Sequence, residues 1–167
     1  MSTRANIIRE NGDGSFDLIY THWDGYPSHH GPILMKHYNT PERVDELLKL
    51  GDLSVLGREI GEKHDFDWSI KAYQAGENRS EDPRDRMCNA YGRDRGEKDA
   101  GMMHLVDVAA LEAYLENSWI EWVYVWNERQ RKWYFTNNPS PVWFKCCGTE
   151  QRATAELTEE AIAGMEA

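Results

Sequence analysis

Between Tyr20 and Tyr38 the chain reads YTHWDGYPSHHGPILMKHY, which gathers four of its six histidines, together with Asp24, into nineteen residues. Imidazoles and carboxylates at such density can ligate a divalent metal or relay protons. His22 and Asp24 stand two apart, on one side of the chain if it runs extended, and His30 and His37 are two helical turns apart. A metal-dependent hydrolase using the His22/Asp24 region is therefore one reading. The array matches neither H-E-x-x-H nor paired C-x-x-C spacing, however, and histidine is an ordinary hydrogen-bonding residue where a strand turns into a helix. The structural reading is the stronger one, and no metal, cofactor or catalytic residue is implied.

A second constellation is YGRDRGE, residues 91–97. Arginine contacts phosphate or carboxylate bidentately and glycine permits close backbone approach, so Tyr91, Arg93 and Arg95, joined by His22, Asp24 and Tyr26, could form a ligand pocket. The protein would then be a binding module sequestering a nucleotide second messenger. Asp94, Glu97 and Asp99 nearly cancel the arginine field, which favours internal salt bridging of a loop instead. Two further nucleophile candidates are weaker. Cys146-Cys147 has only Lys145 nearby to lower a thiol pKa and suits a buried strand, and an N-terminal Ser2 or Thr3 lacks any visible base.

The third feature is electrostatic. From Asp99 to Glu128 there are six carboxylates and no lysine or arginine. Glu112 and Glu116, at i,i+4, repel each other without local return. A solvated acidic face accounts for such a run; the competing account is a surface for a basic partner, with Asp107, Glu112, Glu116 and Glu121 steering and Trp122 and Tyr124 anchoring. The whole chain has 19 basic and 29 acidic side chains, a formal charge of -10, which disfavours direct nucleic-acid or membrane binding. A nucleic-acid-binding protein whose groove the acidic face occupies fits that balance.

These residues must be held by a scaffold, and 167 residues with 40% hydrophobic content suffice for one domain with a real core. There is no signal-peptide pattern and no apolar window of membrane length, and three cysteines, two of them adjacent, suit a reduced cytosol. Residues 3–10 and 15–22 flank Asn11-Gly12-Asp13-Gly14 and read as a β-hairpin. Gly25-Tyr26-Pro27 should break the strand, and a short helix should follow with Pro32 in its first turn. Thr40, Pro41, Val44, Leu47, Leu48 and Gly51 spell a capped helix, and Asp52 to Gly61 reads as a second one. Residues 66–101 read as a long charged loop with room for a short helix near 69–75. Asp107 should cap a helix running to Asn117; residues 119–126 and 133–136 should form another hairpin, and 142–147 a further strand. The expected fold is α+β: an antiparallel sheet built from the N- and C-terminal hairpins, with short helices packed mainly on one face. Residues 1–148 form this domain, and 149–167 a peripheral C-terminal helix or tail with little to bury.

Ser2-Thr3-Arg4, His22-Trp23-Asp24-Gly25-Tyr26-Pro27, Gly31, the 50–57 segment LGDLSVLG and YGRDRGE, followed by an aromatic hairpin, together resemble a set of small accessory proteins of tailed phages, prophages and other mobile elements. The similarity spans about residues 2–136 and carries over no catalytic residue. It implies action in the bacterial host cytoplasm and, by analogy with other small accessory phage proteins, an anti-CRISPR-like or other anti-defence inhibitor whose partner is a bacterial host protein. A homodimer stays open.

Overall fold

The computed structural model describes residues 2–138 and 155–166. Strands β1 (Ala5–Glu10) and β2 (Phe16–Thr21) pair antiparallel, as the turn residues between them predict. The Asp13 carboxylate accepts from the Ser15 backbone and hydroxyl, and Gly14 takes the left-handed conformation that a side chain would resist. Strands β6 (Trp122–Asn127) and β7 (Lys132–Asn137) form the second expected hairpin, with Trp126 opposite Trp133.

The hairpins join through β1 and β6, which run parallel. The sheet is therefore mixed, and the expectation of a purely antiparallel sheet is corrected. The chain between β2 and β6 is long enough to cross over and re-enter beside β1 in the same direction, which a tight turn cannot achieve. With β3 (Leu53–Val55), β4 (Asn89–Ala90), β5 (Met103–Leu105) and β8 (Ala155–Glu156), the strand order is β4-β3-β2-β1-β6-β7-β8, and β5 pairs with the first half of β2.

Helices cover both faces. On one, α1 (Pro27–His37), α2 (Pro41–Lys49) and α6 (Glu159–Glu166) enclose a core of Ile7, Ile19, Leu34, Tyr38, Leu47, Leu48, Trp126 and Phe135. On the other, α5 (Val108–Glu116) alone lays Leu111 and Leu115 over Ile8, Phe16, Leu18, Val123 and Val125. Period-two alternation along β2 and β6 divides the side chains between these cores.

Local signals decide several elements. Thr40 Oγ1 accepts from Arg43 N–H, Pro41 opens α2, and Gly51 ends it at φ +75°, as read from the sequence. The Asp107 carboxylate accepts from Ala110 N–H and caps α5. Helix α1 starts at Pro27, so Pro32 lies inside it and not in its first turn.

The helix expected over 52–61 does not form. Its first residues make β3, whose Leu53 and Ser54 carbonyls accept from His22 and Trp23, while the Asp52 carboxylate accepts from Tyr20 N–H instead of capping a helix. Burial of Leu53 and Leu56 against the main core outweighs local helix propensity. The 66–101 stretch carries α3 (Trp68–Gln74), two 3-10 turns at 79–81 and 83–86, β4 and α4 (Tyr91–Arg95). Cys88, fully buried, meets the Tyr38 hydroxyl and the Gly57 amide, and burial pushes its thiol pKa up. Leu157 and Ile162 join the main core, so α6 buries more than its sequence pattern suggested. The expected strand at 142–147, with Cys146 and Cys147, lies outside the described residues.

Candidate functional site

The histidine-rich stretch is spread over three environments. After β2 the chain turns sharply: Asp24 adopts φ +58°, and Gly25 follows where a Cβ would stand 2.6 Å from the Thr3 carbonyl oxygen. This turn separates the pair expected to act together. His22 Nδ1 meets the Tyr20 hydroxyl at 2.6 Å, and its ring packs edge-on against Trp23, whereas the exposed Asp24 side chain faces α1. Tyr26 packs edge-on against His29.

His30 is fully buried, with Nε2 2.8 Å from Thr21 Oγ1, Nδ1 3.0 Å from His29 Nδ1, and its ring beside that of Tyr124. Burial pushes its pKa well below the ordinary histidine value, and lowers that of His29 as well, so both rings are neutral at pH 7. Among the described residues no three His, Cys, Asp or Glu side chains are placed to hold a metal ion. His30 docks α1 onto the sheet through Thr21 and Tyr124.

YGRDRGE forms α4 and its C-cap, with Gly96 at φ +78°. Arg93 donates to the carbonyls of Ile60 and Cys88 and to Asp94, and the fully buried Asp94 carboxylate also accepts from the Ala90 and His64 amides. Arg95 pairs with Glu97 and lies over the rings of Phe66 and Tyr91. The motif locks three segments together, as internal salt bridging predicts, and Arg93 has its donors committed inside the fold. Of the proposed ligand residues, His22 and Tyr91 come near one another at the β2–β3 end, around Tyr20 and Asp52. Arg93 points away into the chain's own carbonyls.

The acidic run resolves into a ridge. Asp107, Glu112 and Glu116 are exposed on α5, and neither glutamate has an ion-pair partner among the described residues. Glu121 sits 3.8 Å from Arg4. The aromatic anchors assigned to this surface are corrected: Tyr124 is fully buried, with its hydroxyl donating to the Gly25 carbonyl, and Trp122 stacks on Phe135. Both point to the α1 face because they alternate with Val123 and Val125, which face α5.

Trp119, expected to open the second hairpin but lying before its first strand, takes their place. It is 81% exposed just past the C-terminal end of α5, with the Arg4 guanidinium 5.9 Å from its ring. Arg4, Tyr20, Tyr114 and Trp119 border a hollow of about 230 Å³, and nearby Arg4 Nε and Asn6 Oδ1 are buried with no hydrogen-bond partner among the described residues. Trp119 lies between a helix and a strand, where no periodicity marks its orientation.

A larger cleft, about 660 Å³, opens between α1, residues 55–58 and the 3-10 turns. Lys36, Arg58 and Arg86 line it, with Asp24, Asp85, His29 and His37, and an apolar wall of the half-buried Pro32 and Ile33. Comparison with protein-family models, curated proteins and solved structures gives no match. Geometry and chemistry must carry the functional reading. No helix among the described residues is long and apolar enough to cross a membrane.

Proposed function

We propose that the protein is a non-enzymatic inhibitor that engages a basic macromolecular partner through the outer face of α5. The observation that carries this reading is the pairing of Glu112 and Glu116, exposed and without an ion pair among the described residues, with the exposed Trp119 at the helix end. Carboxylates accelerate encounter with a positive surface and reject like-charged ones, while a tryptophan beside a small hollow supplies the apolar anchor that charges alone lack. The helix C-terminus adds partial negative charge at Glu116, which lowers helix stability and raises attraction for a cation.

The partner class follows from the charge: a protein that binds nucleic acid presents the basic groove such a ridge fits. The resemblance to phage accessory proteins supplies the setting, so the partner is taken to be a nucleic-acid-binding defence component in the bacterial host cytoplasm. Affinity capture from bacteria carrying nuclease-based defence systems tests this reading. Wild type should retain a nucleic-acid-binding protein that Glu112→Lys/Glu116→Lys and Trp119→Ala fail to retain. Equal retention by all three proteins would overturn the assignment to α5.

A further inference from the structure

The cleft on the α1 side gathers three cations in an acidic molecule. The chain carries a formal charge of -10, yet three cations and two carboxylates line this concavity. Lys36 and Arg58 are exposed there and make no ion pair among the described residues. Arg86 spends only its Nε, on Glu59 at 2.6 Å, and its two Nη groups make no hydrogen bond among those residues. Lys36, Arg58 and the Nη groups of Arg86 are unengaged among the described residues, and a ligand anion would give them acceptors.

The remaining lining adds two chemistries. The half-buried Pro32 and Ile33 form an apolar wall of the kind that takes a flat ring, and Asp24 and Asp85 bring carboxylate acceptors suited to sugar hydroxyls. Asp24 owes its place to a left-handed backbone at φ +58°, a conformation that disfavours a side chain. The volume, about 660 Å³, is within the ~300–1,000 Å³ range of small-molecule sites.

We propose that this cleft binds a mononucleotide, with the phosphate held by Lys36, Arg58 and Arg86, the base on the Pro32–Ile33 wall and the ribose hydroxyls on Asp24 or Asp85. The site is independent of the α5 ridge, and substitutions in one leave the other intact. It also differs from the pocket the sequence suggested, because Arg93 and Arg95 are engaged within the fold and take no part.

The test is titration of the isotopically labelled full chain with AMP, adenosine and inorganic phosphate, followed by backbone amide resonances. AMP should shift amides of residues 33–37 and 55–58 and bind more tightly than either fragment. Lys36→Glu/Arg58→Glu, both at exposed positions, should weaken AMP about tenfold or more, the equivalent of losing one charge-assisted hydrogen bond. Ile33→Trp should block the apolar wall without changing charge and weaken AMP while sparing inorganic phosphate. No shift in the cleft at about 10 mM AMP, well above a ~1 mM dissociation constant, overturns the proposal. So does an AMP affinity unmoved by the charge reversal, or phosphate binding as tightly as AMP.

Discussion

His30 carries a testable consequence of its burial. Its folded-state pKa lies well below the ordinary 6.5, so below that pH the unfolded chain takes up a proton that the folded chain excludes. Stability is full above 6.5 and falls as pH drops through it, with a slope approaching about 1.4 kcal/mol per pH unit for one excluded proton. Thermal unfolding followed from neutral to mildly acidic pH should show this loss, and His30→Asn, less stable at neutral pH, should show a shallower one. An unchanged slope would place the proton uptake elsewhere. Arg93 invites the converse experiment. Arg93→Ala strands the buried Asp94 carboxylate and two carbonyls, so it should cost about 3–5 kcal/mol in denaturant unfolding. A near-neutral result would reopen a ligand role for that side chain.

Elements were legible where signals are local and opaque where partners are remote. The caps at Thr40 and Asp107 and the turn at 11–14 announce themselves because their hydrogen bonds close within a few residues. Residues 52–61 carry a similar helical pattern, but Leu53–Val55 become a strand because the end of β2 offers pairing more than thirty residues away. Parallel pairing of β1 with β6 leaves no local mark at all, since it is set by the path of the intervening chain. The same reasoning yields two predictions. At Gly51, φ is +75° and a Cβ would sit 2.1 Å from the Ala100 carbonyl oxygen, so Gly51→Ala should destabilise by more than about 2 kcal/mol. Ile162 packs over Gly31 in the main core, so Ile162→Ala should cost about 2–4 kcal/mol, whereas a peripheral α6 would show almost no loss in urea unfolding.

At the scale of the molecule, the sheet separates functions that the sequence placed together. Alternation along β6 sends Trp122 and Tyr124 to the α1 side and leaves the α5 side with its carboxylates and Trp119. The acidic run could be read directly because charge is a property of composition, but which aromatic accompanies it depends on strand face, and the cleft residues Lys36, Arg58 and Arg86 meet only in three dimensions. The role proposed for the α5 ridge is to disable a host defence component. Its most direct test is the plating efficiency of a defence-sensitive phage on bacteria that carry nuclease-based defence systems and express either the wild-type protein or Glu112→Lys/Glu116→Lys. Wild type should restore plating against at least one system, and the charge-reversed protein, folded and equally abundant, should not. Plating restored equally by both, or by neither against any system, would contradict the account.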